Sequence, residues 1–249
     1  VQLIAKSKRK KTIDKIIDAI FQIQGGYALV MLTQTSLVGV RDPFGIRPLV
    51  IGKINNSFVL ASETCALDII GAKFIREVDH GEIVLIEKDE IISVKPFPPR
   101  KIRPCVFEYI YFSRPDSILN GKSAYEHRKN LGIELAKEND LKADIVVPVP
   151  DSGNAAALGF AQHLGIKFEL GLIRNHYVGR TFIEPSQKIR SLGVKLKLNA
   201  NQSTIIGKKI ILIDDSLVRG TTSYKIIKML YDAGAKEVHM KIACPEIKF

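Results

Sequence analysis

Cysteine is scarce in this sequence: Cys65, Cys105 and Cys244 are its only three, widely spaced and without a Cys-x-x-Cys pair. Such an odd set supplies no disulfide framework and suits a reducing compartment. Long apolar runs are missing too. None approaches the roughly 20 residues needed to cross a bilayer, and no secretory signal pattern is present, so no membrane association and a cytoplasmic location are expected. Acidic residues are in deficit, with 26 Asp and Glu against 37 Lys and Arg, a formal charge of +11. That excess suits an anionic ligand, whether nucleic acid, a membrane surface or a polyphosphate, without choosing among them. The cations are dispersed except for Lys6, Lys8, Arg9, Lys10 and Lys11. This run precedes an amphipathic helix and reads as a solvated helix entry rather than a nucleic-acid patch. The chain opens Val1-Gln2-Leu3 and stops in mid-pattern at Cys244–Phe249; it reads as a fragment lacking both termini.

What is present is enough chain, 249 residues with 46% hydrophobic and 25% charged, for one large or two ordinary globular domains. Four prolines within residues 96–104 exclude helix and suit a stiff connector, so the boundary is placed there, giving domains 1–98 and 99–249. In the first, Ile13, Ile16, Ile17 and Ile20 recur at helical spacing behind Thr12, a candidate N-cap. Short β-rich runs follow at 27–33, 37–41, 49–54 and 58–61, punctuated by Gly25-Gly26, Asp42-Pro43, Gly45 and Asn55-Asn56. Residues 62–70 read as a capped short helix, and 82–86 with 91–95 as a hairpin. The second half alternates: helix 124–138, strand 143–150, helix 154–164, strand 168–174, then strand 209–214, helix 222–233 and strand 237–243. The expected fold is therefore α+β followed by α/β with a central parallel sheet, whose ligands bind beyond the carboxyl ends of the strands.

The strongest motif is Ile210-Ile-Leu-Ile-Asp214-Asp215-Ser216-Leu-Val-Arg219-Gly220-Thr221-Thr222-Ser223. So continuous an apolar run suits a strand buried on both faces. The two aspartates at its end repel each other unless a cation or hydroxyls satisfy them, and a ribose diol with Mg²⁺ would do so. Gly220 tolerates positive φ, and Thr221, Thr222 and Ser223 bring hydroxyls and free N–H groups to a helix start, a phosphate-binding arrangement. A ligand-free strand, turn and cap is the bland alternative. This segment resembles the phosphoribosyl-pyrophosphate (PRPP) motif of type I phosphoribosyltransferases. The resemblance implies that Asp214 and Asp215 contact the ribose hydroxyls and the Mg²⁺-linked part of the site, that Arg219 to Ser223 hold the 5′-phosphate, and that Ser216 also binds PRPP.

A second loop, Val146-Val-Pro148-Val-Pro150-Asp151-Ser152-Gly153-Asn154, leaves another strand end ahead of a helix that Asn154 could cap. It can aim backbone N–H groups at an anion, although an ordinary strand-to-helix turn looks the same. Beside the first motif it resembles the family's pyrophosphate loop, with Asp151, Ser152 and Gly153 on the ligand and Ser152 next to the metal. The cationic stretch from Arg174 through Tyr177 and Arg180 to Lys195 and Lys197 is long enough to be a lid or a disordered excursion. As a lid it could close over a polyphosphate.

The wording of that stretch resembles the catalytic flexible loop of the glutamine PRPP amidotransferase family, which implies catalytic roles for Arg174, Tyr177, Arg180 and Lys197. Phe107–Ser117, Gly234–Pro245 and Val40-Arg-Asp42-Pro-Phe-Gly45-Ile-Arg47-Pro48-Leu look like the same family. His176 stands where arginine is expected and has no assigned role. The resemblance implies the C-terminal half of an N-terminal-nucleophile (Ntn) hydrolase glutaminase domain followed by a type I phosphoribosyltransferase domain. It implies transfer of glutamine-derived ammonia to PRPP, giving 5-phosphoribosylamine at the first step of purine synthesis, in a homo-oligomer under nucleotide feedback. The glutaminase nucleophile is expected upstream of Val1, so this chain alone should use free ammonia. Cys105 resembles the first ligand of a [4Fe–4S] cluster, against the reading of a plain buried cysteine. Two rivals are a salvage phosphoribosyltransferase, which the glutaminase-like first half disfavours, and a PRPP-sensing repressor. The repressor would bind nucleic acid through a recognition helix that residues 1–95 do not offer.

Overall fold

A computed structural model describes residues 1–88, 90–138, 140–176 and 197–246. The chain divides into two compact units, the first formed by Val1–Val106 with Asp116–Gly121, the second by Phe107–Pro115 with Lys122–Phe249. The proline-rich segment 96–104 lies inside the first.

The first unit begins with α1 (Gln2–Lys6) and α2 (Thr12–Ile20). Thr12 is the first helical residue rather than the cap; Lys11 occupies the cap position and no side chain accepts there. Strands β1 (Ala28–Leu32), β2 (Leu37–Arg41), β6 (Ile83–Glu87) and β7 (Glu90–Val94) form one antiparallel sheet in the order β1-β2-β6-β7. Strands β3 (Val50–Ile54), β4 (Ser57–Ala61) and β5 (Lys73–Glu77) form another, in the order β4-β3-β5. The period-2 alternation of strand side chains sets the layers. Val38, Val40 and Ile83 pack on Ile16 and Ile20 of α2, Val84 packs on Leu49 and Ile51, and Val50 packs on Leu67 of α3 (Thr64–Ile69). The result is a helix, sheet, sheet, helix sandwich.

Two buried charges organise this unit. Asp42 is fully buried and accepts hydrogen bonds from the Phe44, Ile46 and Arg47 N–H groups, each at 3.0 Å, which pins the turn that follows β2. Glu82 accepts from both terminal nitrogens of Arg76, at 2.8 and 2.7 Å, from Ser93 Oγ at 2.7 Å and from the Asp79 N–H at 2.6 Å. Burial works against ionisation of Glu82, but the bonds from Arg76, Ser93 and Asp79 outweigh it and hold the carboxyl below the usual glutamate range. A depressed carboxylate stabilises the fold above its unfolded value, and that contribution is lost as pH falls through the folded one. Glu82→Gln should therefore cost about 3 kcal/mol at pH 7, the scale of breaking a buried pair. Urea midpoints at several pH values should show the gap to the parent narrowing below about pH 4.

Residues 116–121, which include the two-residue strand β8 (Ile118–Leu119), return to the first unit. Ser117 Oγ donates to Glu63 at 3.0 Å, the Ile118 N–H to Thr64 Oγ1 at 2.8 Å and the Asn120 N–H to Glu77 at 2.5 Å. Strand β9 (Lys122–Ser123) follows.

In the second unit a π-helical turn at Glu108–Phe112 precedes α4 (Ala124–Lys137), whose cap Ser123 accepts from the Glu126 N–H. The buried Arg128 guanidinium of α4 donates to the Tyr109 and Ser113 carbonyls, both at 2.7 Å, and so fixes that turn. Strands β10 (Ile145–Pro148), β11 (Lys167–Phe168), β14 (Lys209–Asp214) and β15 (Glu237–Ile242) make an all-parallel sheet in the order β11-β10-β14-β15. The apolar run 210–213 is split between two cores. Ile210 and Leu212 face a cluster with Ile226 and Leu230 of α7 (Thr221–Asp232), while Ile211 and Ile213 face Ala157 and Phe160 of α5 (Asn154–Leu164). This is the two-sided burial that a parallel sheet between helices requires.

The single strand expected over 168–174 is two. Strand β11 ends at Phe168, and β12 (Leu172–Arg174) pairs with β13 (Leu198–Ala200) in a separate antiparallel ribbon. Gly171 lies between them, where a Cβ would stand 2.8 Å from a methyl of Val147, so a side chain here would have to displace that of Val147 on β10. The short helix α6 (Gln202–Ile205) follows the ribbon.

Candidate functional site

Parallel register sets the site. Pro148 of β10 lies beside Ile213 of β14, so both strands release their loops side by side at their carboxyl ends, where open parallel sheets place ligands. Beyond β10 the Val149 N–H reaches the Ile213 carbonyl at 2.8 Å, and the Gly153 N–H folds back to Val149 O at 2.9 Å. A Cβ on Gly153 would sit 2.4 Å from Ile213 O, which restricts this position to glycine. Gly153, not Asn154, occupies the cap position of α5; the Asn154 Oδ1 is buried with no hydrogen-bond partner among the described residues. The Pro150–Asp151 peptide is cis.

Beyond β14 the chain runs through Asp215, buried, and Ser216 to Gly220, whose φ of 70° places it in the left-handed region at the head of α7. Thr221 and Thr222 are exposed there and Ser223 is buried. The N–H groups of a first helical turn have no intrahelical acceptor, and the helix dipole adds positive potential. The loop therefore offers an anion hydroxyls and N–H donors together.

Asp214 and Asp215 form the electrostatic centre. Burial pushes the Asp214 carboxyl up to about 7, and the neighbouring Asp215 side chain adds to the rise by hydrogen bonding and by charge. A hydrogen bond from the Ser152 side chain acts in the opposite direction, so the two loops meet at this carboxyl. Ser216 Oγ donates to Asp215 at 2.6 Å. Two carboxylates with one hydroxyl leave room for oxygen ligands from a substrate, which is how Mg²⁺ is commonly held.

The ribbon β12–β13 ends beside these loops. Arg174 is paired with Leu198, the Asn175 N–H donates to Lys197 O at 2.7 Å, and the Arg174 guanidinium forms an ion pair with Asp151. Tyr177, Arg180 and Lys195 lie outside the described residues. Asp214 is the last residue of β14, and Asp151, Ser152, Gly153, Asp215, Ser216, Arg219, Gly220, Thr221, Thr222 and Ser223 all fall on the two loops or at the helix starts that end them. A cavity of about 530 Å³, lined in part by Asp144, Lys167 and Lys208, opens at the opposite, amino ends of the strands and includes none of them.

Residues 3–68 match the model of a glutamine amidotransferase domain. Over 254 residues the chain is 56% identical to an amidophosphoribosyltransferase of Rhizobium etli, covering 100% of this chain and 51% of that protein. Along its whole length the chain is similar to amidophosphoribosyltransferases. A chloroplastic amidophosphoribosyltransferase of Glycine max is 53% identical over 248 residues, 99% of this chain and 44% of its own length. The solved glutamine PRPP amidotransferase of Bacillus subtilis, complexed with ADP and GMP, superposes with a TM-score of 0.91 at 46% identity, over 99% of this chain and 54% of that one. A structure described as the allosteric regulatory enzyme of purine biosynthesis gives a TM-score of 0.90 at 46% identity, over 98% and 52%. The chain thus spans about half the length of the relatives it matches.

Against amidophosphoribosyltransferases as a family, two features of the site were not read from the sequence. Cys244 follows β15, and its N–H donates to Asp215 O at 2.8 Å; burial, with the Asp215 charge, pushes its thiol up. The signal was available, because β15 parallel to β14 must end beside the aspartates. The Asp151–Arg174 pair had no sequence signal, since it depends on where the split of 168–174 sends β12. For iron, Cys65, Cys105 and Cys244 are each free, and no group of three or more His, Cys, Asp or Glu among the described residues is placed to hold a metal. No helix among the described residues is long and apolar enough to cross a membrane.

Proposed function

We propose that the whole protein transfers ammonia drawn from glutamine to C1 of PRPP, giving 5-phosphoribosylamine, pyrophosphate and glutamate at the start of purine synthesis. In this reading the first unit is the carboxyl-terminal part of an Ntn-hydrolase glutaminase domain and the second a type I phosphoribosyltransferase. The observation that carries it is the meeting of the 149–153 and 214–223 loops at Asp214, which joins an acid pair, an anion loop and a helix-borne phosphate cradle within one sheet end.

Asp214 and Asp215 would accept hydrogen bonds from the ribose hydroxyls, and each bond formed favours their ionised form. Gly220 to Ser223 would seat the 5′-phosphate, and Ser152 and Gly153 the pyrophosphate. Transfer then passes through a cationic centre at C1, and positioning with preset charge supplies most of the acceleration. Asp214, Asp215 and Ser152 would hold Mg²⁺, whose chemistry is to neutralise charge on the departing pyrophosphate. Arg174, Tyr177, Arg180 and Lys197 would complete the catalytic set. A [4Fe–4S] cluster needs four thiolates and this chain has three cysteines, so Cys105 would be one ligand among others in the whole protein. No step depends on it. The whole protein would be a cytoplasmic homo-oligomer subject to nucleotide feedback.

The test uses ammonium as nitrogen donor, which isolates the second unit's chemistry. Pyrophosphate release from PRPP and Mg²⁺ should rise with ammonium concentration and stay at background without it. Release driven by a free purine or pyrimidine base instead would identify a salvage transferase.

A further inference from the structure

An exposed aspartate is a liability in a loop that receives a polyanion. Asp151 lies between Pro150 and Ser152, with its side chain 51% exposed. A carboxylate about 4 Å from a phosphate oxygen repels it by roughly 1 kcal/mol in water and by more where water is excluded. The structure cancels that charge: the Arg174 guanidinium, 46% exposed, is paired with Asp151. The backbone beneath Arg174 is held by the pairing of residues 172–174 with 198–200 and by the Asn175 to Lys197 bond. Only the side chain is therefore free to change partners. A guanidinium fork fits a phosphate as well as a carboxylate, and a phosphate carries more charge. An exposed pair of this kind contributes about 0–1 kcal/mol, so releasing it costs little.

We infer that Asp151 stands in for pyrophosphate: its carboxylate holds Arg174 at the mouth of the site, and an arriving pyrophosphate group takes the guanidinium over. Asp151 is then a positioning residue that keeps Arg174 within reach of the ligand, and it lowers affinity as the other side of the same function. This rests on the reading of 149–153 as a pyrophosphate loop.

The test is calorimetric titration of the full chain with inorganic pyrophosphate and, separately, with ribose 5-phosphate, both in Mg²⁺, for the parent, Asp151→Asn, Arg174→Gln and the double variant. Ribose 5-phosphate depends on the 214–223 loop and reports its integrity. The exchange predicts that Asp151→Asn tightens pyrophosphate about threefold and that Arg174→Gln weakens it about tenfold. Ribose 5-phosphate should be unaffected by either. The gain from Asp151→Asn should also be larger with Arg174 present than in the Arg174→Gln background. An equal or larger gain without Arg174 would reduce Asp151 to plain repulsion and overturn the exchange. So would weaker or unchanged pyrophosphate binding by Asp151→Asn, or unchanged binding by Arg174→Gln. Binding of ribose 5-phosphate but not pyrophosphate by the parent would overturn the exchange alone. Binding of neither would remove the functional reading beneath it.

Discussion

Replacing Asp214 and Asp215 together with asparagine should lower ammonium-dependent pyrophosphate release from PRPP by about a thousandfold, the scale of losing preset charge stabilisation at a reacting centre. The fold should survive, because neither carboxylate holds the sheet: the backbone of this segment is carried by the Ala243 to Asp214 and Cys244 to Asp215 bonds, at 2.9 and 2.8 Å. The single change Asp214→Asn separates function from stability. With its carboxyl raised from 3.8 to about 7, Asp214 binds more protons folded than unfolded between those values. It therefore subtracts stability as pH rises through that window and subtracts it fully above the upper end. Without ligand or Mg²⁺, Asp214→Asn should thus melt higher than the parent at pH 8 and show no advantage near pH 4, while transfer is lost. Equal turnover, or a lower melting point at pH 8, would remove the acid pair from the centre of the site.

Gly132→Ala should destabilise the second unit by about 3 kcal/mol or more, beyond the usual range for overpacking. A Cβ at Gly132 of α4 would stand 1.8 Å from the Ala156 carbonyl oxygen, and one at Gly159 of α5 would stand 2.0 Å from Lys129 O. Each helix presses a glycine against the other's backbone, so no rotamer change can relieve the contact and the helices must separate. Separation opens the core that Ala136, Ala157 and Phe160 share with Ile211 and Ile213, and it moves the start of α5, where Ser152 and Gly153 sit. Urea midpoints should fall accordingly, with Lys137→Ala on the exposed side of α4 changing stability by no more than about 0.5 kcal/mol. A Gly132→Ala midpoint equal to the parent's would mean that the helices are not in such close contact.

Much of this was legible beforehand, and where it failed the reasons are local. Strand 209–214 and helix 154–164 are found where expected, because a buried parallel strand and an apolar helix with a glycine stop declare themselves by composition. The cap positions were misjudged at Thr12 and Asn154 because capping depends on backbone angles one residue earlier, and Lys11 and Gly153 hold those positions. Strand β5 escaped notice since Lys73, Arg76 and Glu77 make it look like a loop; it is an edge strand, where charge is tolerated. The π-helical turn at 108–112 is built from Tyr, Ile and Phe, residues that favour strands. It persists because Arg128, distant in sequence, binds its carbonyls. For the site, the loops were legible since each motif is contiguous, whereas the contacts at Asp214 and Asp151 join residues separated by more than 20 positions.

The return of residues 116–121 to the first unit bears on how such a chain can be taken apart. Because the polypeptide passes from the first unit to the second, back, and out again, no single cut yields both units intact. Scission before Phe107 would remove the bonds that Glu63, Thr64 and Glu77 receive from Ser117, Ile118 and Asn120 and expose Ser117, while scission after Gly121 would leave Arg128 without the Tyr109 and Ser113 carbonyls it binds. Recombination with another first unit would therefore succeed only if the segment 107–121 were rebuilt on both sides of the joint.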